Sequence, residues 1–238
     1  MSAWLKSAWS QLAFTFVLIY IGSFGLYLYS YVFLHLRGYL FLPENAVLAL
    51  IPLLLAGRLI ISLRHKRWSD WEPMLLTLLY LVFIPASFYA ISDYIHLQGN
   101  TDRNILLTSV LFSSFIIPAL FNGLASLYLL HSELKKRIRF YSAGIIMTIL
   151  LIGICFSVYV GRDLGWNNWE IFLHPLSFFM DISNLFSKSG AYANVARSIS
   201  ALFILMGSLY LLSWRMGRLI WHRGINDLAA HIKRAKSS

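Results

Sequence analysis

The sequence predicts an all-α polytopic membrane protein with six transmembrane helices and an additional amphipathic segment at the outer face. Three observations indicate this fold class. The 238-residue chain is 58% hydrophobic and only 13% charged, which is far too apolar for a soluble domain. Its apolar residues form six long stretches, and its basic residues cluster in alternate connections. One integral membrane domain over residues 1–238 is expected, because no linker-like stretch divides the chain.

Six helical spans account for most of the chain. A hydrocarbon core of ~30 Å requires ~20 helical residues, and continuous Leu, Ile, Val and Phe runs favour helices that satisfy their own backbone groups. The predicted spans cover about residues 12–36, 39–63, 74–94, 105–130, 140–161 and 199–214. The first is expected to remain as a span, because its apolar core is too long for a cleavable signal.

The distribution of Lys and Arg predicts that both termini are cytoplasmic. In this orientation the inner connections hold most of the basic residues, and Arg58 extends to the same side from near the inner end of the second span. The inner face is then strongly positive and the outer face nearly neutral. We therefore expect the protein to contact anionic lipid headgroups at its inner face and not to bind nucleic acid.

The longest connection, which begins near Trp166, predicts an amphipathic helix at the outer face. Its polar residues recur at intervals of four and three, so that they share one helix face; they are Glu170, His174, Ser177, Asp181, Asn184 and Lys188. Pro175 should start or kink the helix. The pattern allows this segment either to lie in the interface or to cap the bundle.

Ionisable residues gather at the outer ends of the predicted spans and form the candidate site. Asp93 and His96 are three residues apart, and Glu170 and His174 are four apart, so that each pair can point to one side of a helix. Arg162 closes the fifth span and could hold an anionic group. The candidate catalytic residues are therefore Asp93, His96, Arg162 and Glu170.

The same residues include a possible metal site. Two carboxylates and two imidazoles suit Zn²⁺ or another divalent ion, and the candidate ligands are Asp93, His96, Glu170 and His174. Alternatively, Asp93 caps a helix or pairs with Arg162, while Glu170 and His174 belong to a solvated helix face. The remaining histidines are interpreted as interfacial or solvated; they are His35, His65, His131, His222 and His231. No cofactor is identified by the sequence.

Small residues predict a close contact inside the bundle. Gly153, Ser157 and Gly161 recur every four residues on the fifth span, and Ala119 and Gly123 offer a matching surface on the fourth.

Two segments resemble an uncharacterised bacterial membrane-protein family, catalogued as domain of unknown function 1361. They are FIPASFYAISDYIHL at positions 83–97 and SVYVGRDLGWNNWEIFLHP at positions 157–175. The matching residues are Pro85, Tyr89, Asp93 and His96 in the first segment and Gly161, Arg162, Asn167 and Trp169 in the second, with Glu170 in place of Asp. Asn45 and Pro52 are also similar, and the resemblance covers roughly positions 39–188.

The chain departs from the family pattern at Ala86, Ser87 and Phe88, where Asn-Ala-Pro is expected, and at Asn168, where Ser is usual. The resemblance implies a multi-pass protein of the bacterial cytoplasmic membrane. It implies no activity, because none is established for the family.

Three function classes remain open. A ligand-binding or catalytic protein would use the outer acids and bases at the water boundary. A scaffold would need only an exposed surface for a protein partner or for a homo-oligomer. A small-solute transporter would need a polar group near the midplane, where the sequence offers Asn122 and possible helix breaks at Pro52, Pro85 and Pro118.

Overall fold

The computed structural model describes residues 3–33, 38–97, 105–163, 165–166, 173–187 and 191–237. Within these ranges, side chains are described except at residues 3–13, 140, 163, 175, 185–187, 191–192 and 220–237.

The described chain is helical and contains no strand. Its helices are α1 (Ala3–Phe33), α2 (Phe41–Ser62), α3 (Trp71–Tyr89), α4 (Ile105–Arg137), α5 (Phe140–Asp163), α6 (Pro175–Ser187) and α7 (Ala191–Ser237), and a 3₁₀ helix over Ala90–Leu97 continues α3. Six segments are long and apolar enough to cross a membrane: Phe14–Phe33, Phe41–Ser62, Trp71–Leu97, Ile105–Arg137, Tyr141–Arg162 and Ala193–Leu219. The predicted fold class and number of spans are confirmed.

The centre of the bundle is formed by α2, α3 and α4, with α5 and α7 packed beside them. α3 and α4 approach closely at Gly123, where an added Cβ would lie 2.8 Å from Cε2 of Phe88 and 2.9 Å from Cβ of Ser87. Buried Tyr80 reaches across the same pair of helices, with its hydroxyl 3.3 Å from Oγ of Ser126. Glycine at position 123 therefore sets the distance between α3 and α4.

The predicted small-residue contact between α4 and α5 is wrong at all three glycines that defined it. Gly161 lies against Tyr89 of α3. Gly123 packs against α3, and a Cβ at Gly153 would meet nothing within 4 Å. Small residues permit a close approach, but they do not specify which neighbour makes it.

The three interior prolines do not break their helices. Pro52, Pro85 and Pro118 all lie inside continuous helices. Only α3 changes its geometry nearby, because it passes into the 3₁₀ helix at Ala90.

The two ends of the bundle differ in charge. The basic rim is formed by the end of α2, the start of α3, the end of α4 and the part of α7 around Arg215 and Arg218. The opposite rim, which we call the outer rim after the orientation predicted from the sequence, is formed by the start of α2, the 3₁₀ helix, the end of α5, α6 and the start of α7. Arg58 reaches the basic rim, as predicted, where Nη2 lies 3.3 Å from Oε1 of Glu72.

Within the predicted amphipathic segment, the helix α6 begins at Pro175, one of the two effects that the sequence predicts for this proline. Its inner contacts are made by Phe178, which packs edge-on against Trp166 at 5.7 Å, and by Asp181, which accepts a hydrogen bond of 3.0 Å from Nε1 of Trp166. Large apolar side chains beside these contacts are exposed: Leu173, Leu176, Phe179 and Met180. An exposed apolar face suits a helix that lies in the membrane interface.

Candidate functional site

Three helical elements bring polar side chains together at the outer rim. Asn45 lies in the first turns of α2, Asp93 and His96 lie in the 3₁₀ helix, and Arg162 lies in the last turn of α5. We call these four residues the outer-rim cluster. Three of the four predicted catalytic candidates therefore belong to it.

Asp93 is buried and is held by an amide. Only 2% of its surface is exposed, and its Oδ2 accepts a hydrogen bond of 2.9 Å from Nδ2 of Asn45. Arg162 acts on the carboxylate through the Coulomb interaction, but no ion pair joins the two described side chains. The predicted alternative, direct pairing of Asp93 with Arg162, is replaced by the Asn45 contact, which leaves the guanidinium available to other groups.

His96 receives the guanidinium instead. Nη2 of Arg162 lies 3.2 Å from Nε2 of His96. Because a guanidinium can only donate, Nε2 accepts and the proton of the neutral ring lies on Nδ1. The ring of Phe41 lies 4.7 Å from the imidazole, centroid to centroid, and fixes its other side. His96 is exposed, so that its Nδ1–H is a donor available at the water boundary.

Gly161 explains why Arg162 can reach His96. A Cβ at Gly161 would lie 3.0 Å from Cε2 of Tyr89, so that a larger residue would push the end of α5 away from α3. Just beyond this helix, Gly165 adopts a φ of 72°, which favours glycine. The chain can then turn and place Trp166 against α6.

The second predicted pair is not brought together with the first in the described chain. His174 is exposed and precedes α6, whereas Glu170 lies outside the described residues. Among the residues that are described, no group of three or more His, Cys, Asp or Glu side chains could hold a metal ion. The metal site made of Asp93, His96, Glu170 and His174 stays a prediction.

The outer-rim cluster has the chemistry of an anion-binding site. Arg162 carries five N–H donors in a planar fork, and most of them are not used by His96. The His96 Nδ1–H adds a further donor, while the nearby Asp93 carboxylate is buried. Such a set can orient a phosphate or carboxylate group and can exchange a proton with it.

Sequence reasoning missed two buried polar contacts. The contact of Asn45 with Asp93 was not predicted, since 48 positions separate the two residues and no local spacing connects them. His131, interpreted as interfacial or solvated, is only 6% exposed. Its Nδ1 contacts the hydroxyl of Tyr210, and its ring stacks on Trp214 at 3.9 Å, because α7 covers the inner part of α4.

Asn122, which the sequence predicts to lie near the midplane, is fully buried and donates a hydrogen bond of 2.6 Å to the hydroxyl of Tyr20. It joins α1 to α4.

Comparison with protein families gives one match. The model of a family described as "Protein of unknown function (DUF1361)" matches residues 45–212. Neither a curated protein nor a solved structure matches the chain. The matched range contains every residue of the outer-rim cluster, and the predicted resemblance is confirmed.

Proposed function

The chain belongs to the family described as protein of unknown function DUF1361, and because that description assigns no activity, we propose a function from the outer-rim cluster. At the outer face of the cytoplasmic membrane, the protein captures the phosphate or carboxylate group of a lipid or of another envelope molecule. Arg162 binds the anion and the Nδ1–H of His96 donates to it, while Asp93 stays buried beside Asn45. The observation that carries the proposal is the contact of Arg162 with His96 across two elements, since no further hydrogen bond joins the guanidinium to the residues that the structure describes.

The position of the cluster supports this reading. Lipid headgroups and water meet at the rim of a bundle, where a charged ligand can arrive without crossing hydrocarbon. Asp93 is held by Asn45 and forms no ion pair with Arg162, so the guanidinium charge can act on an anionic ligand. Catalysis at this cluster would use Asp93 and His96 as acid–base groups, with Glu170 as a further candidate.

Binding of simple anions tests the site. Glycerol 1-phosphate and succinate, added to the detergent-solubilised protein, represent a phosphate headgroup and a carboxylate. One of them should raise the thermal unfolding midpoint, because a ligand that binds only the folded state stabilises it. Arg162→Gln should abolish the rise. Arg197→Gln is the matched control, since Arg197 is also an exposed cation at the outer rim but bonds Asn194 and Ala193 of its own helix.

An equal rise in the wild-type protein and in Arg162→Gln would refute the role of Arg162. No rise with either anion in the wild-type protein would favour a scaffold without a site. We do not propose transport, because Asn122, the midplane residue that it would use, is buried and bound to Tyr20.

We also propose that residues 1–238 form one domain in the bacterial cytoplasmic membrane, with both termini inside. The concentration of Lys and Arg at the basic rim supports this orientation. Cysteines introduced at Ser69 and Asn184 test it, since both side chains are exposed and the native Cys155 is buried. In intact cells, an impermeant maleimide should label Asn184→Cys and should label Ser69→Cys only after permeabilisation; the reverse pattern would overturn the orientation.

A further inference from the structure

A groove opens between α4, α5 and α7 at the basic rim, on the opposite side of the bundle from the outer-rim cluster. It has a volume of about 490 Å³, within the usual range for ligand pockets. The lining residues that matter for its chemistry are His131 on α4, Gly144 on α5, and Gly207, Tyr210, Arg215 and Arg218 on α7.

The mouth of the groove is cationic. Arg215 and Arg218 are three residues apart on α7, so that both can face the same side of the helix. Both are exposed, and neither pairs with a carboxylate among the described residues. Nζ of Lys135 lies 5.2 Å from the centroid of the Trp214 ring nearby and adds to the positive field. This end of the groove is complementary to a phosphate.

Below the mouth lies a buried polar atom for which the described residues offer no partner. His131 is 6% exposed, and its Nε2 has no hydrogen-bond partner among the described side chains, although an unsatisfied buried group is costly. Its Nδ1 contacts the hydroxyl of Tyr210. When that hydroxyl donates, the proton of the neutral ring lies on Nε2, so that an N–H is available to an acceptor such as an ester oxygen.

The rest of the groove is apolar and open. Added Cβ atoms at Gly144 and Gly207 would meet nothing within 4 Å. Ile204 and Leu211, which also line the groove, are exposed, so its side opens onto the surface that faces hydrocarbon in a membrane. A soluble anion would leave this apolar part empty, whereas an acyl chain fits it.

We propose that the groove binds one anionic phospholipid. Its phosphate lies between Arg215 and Arg218, an ester oxygen accepts from Nε2 of His131, and an acyl chain lies over Gly144 and Gly207. Such a site is defined by its lining and differs from the general attraction of lipid to a basic surface. It does not depend on the function proposed for the outer-rim cluster.

Native mass spectrometry of the detergent-solubilised protein tests the proposal, with phosphatidylglycerol and phosphatidylcholine of identical acyl chains as probes. The wild-type protein should retain phosphatidylglycerol preferentially. The double variant Arg215→Gln/Arg218→Gln should lose roughly tenfold or more of this affinity, since each cation near the membrane surface contributes about 1 kcal/mol. The control variant Arg67→Gln/Arg139→Gln removes the same amount of charge from the same rim, but its two exposed residues do not line the groove. This variant should bind phosphatidylglycerol like the wild type.

A second pair of variants tests the shape of the groove. Gly207→Leu and Gly144→Leu fill open space and should weaken binding of both lipids, while Gly153→Leu adds the same side chain to exposed α5 surface outside the groove and should not. Thermal unfolding of each variant confirms folding. Equal losses in the two double arginine variants, or wild-type binding by both groove-filling variants, would overturn the site. Competition by free glycerol 1-phosphate as effective as that by phosphatidylglycerol would show that the acyl chain contributes nothing and would also refute it.

Discussion

At the basic rim Glu72 and Glu133 each contact two cationic side chains, whereas at the outer rim Asp93 accepts a hydrogen bond from the neutral amide of Asn45. The difference follows from how many cations each rim has. Where cations are abundant, a carboxylate finds two of them: those at Glu133 belong to its own helix, and those at Glu72 belong to α2 and the connection that follows it. Where cations are scarce, as at the outer rim, the burial of Asp93 depends on the side-chain amide of Asn45 from another helix. The donors of Arg162 then remain available to a ligand.

The largest effect should come from the outer rim. Asn45→Leu removes the donor from a carboxylate that is 2% exposed, and we expect the free energy of unfolding to fall by about 3 kcal/mol. Denaturation by SDS in mixed micelles measures it. In Asn45→Leu/Asp93→Leu both partners are apolar, and most of the stability should return. If the single variant is as stable as the wild type, the Asn45 contact does not support Asp93.

A smaller effect is expected at the basic rim from Glu133→Gln. Oε2 of Glu133 lies 2.6 Å from Nζ of Lys136, and Oε1 lies 3.2 Å from Nε of Arg137. Loss of the charge should cost about 2 kcal/mol, since Arg137 also donates a hydrogen bond of 2.7 Å to the carbonyl of Leu63 and so ties α4 to α2. Lys136 is mostly exposed and can turn to water, which limits the loss. A decrease larger than that of Asn45→Leu would reverse the ranking of the two rims.

The same comparison shows what the sequence could predict. The spans follow from the length of apolar runs, and the start of α6 follows from Pro175, since both signals are local. Contacts between distant helices carry no local signal. Asn45 gives no indication that it meets Asp93, and His131 looks interfacial because it lies one turn before a basic run, although Tyr210 and Trp214 bury it. Gly123 correctly indicated a close approach between two helices, but it did not indicate that the partner helix is α3.

Substitutions at two glycines of α5 test how the outer-rim cluster is positioned. Gly153→Ala should stabilise the protein by up to about 1 kcal/mol through helix propensity, because its Cβ meets no atom within 4 Å. Gly161→Ala should lose that gain, since its Cβ would lie 3.0 Å from the ring of Tyr89. It should also weaken anion binding by displacing Arg162. Equal stabilisation by both substitutions, with unchanged binding, would show that Gly161 does not position the cluster.

The smallest effect should come from Arg58→Gln at the basic rim. The guanidinium of Arg58 is largely exposed, and Glu72 keeps Lys66 as a second partner. Exposed ion pairs contribute about 0.2–1 kcal/mol, so the free energy of unfolding should change by less than about 0.5 kcal/mol. Lys66→Gln should behave similarly, and the double variant should lose more than the sum of the two, because either cation can neutralise Glu72 while the other is absent. If the two losses in free energy of unfolding simply add, the two cations act independently. The basic rim would then tolerate the loss of a single charge no better than the outer rim does.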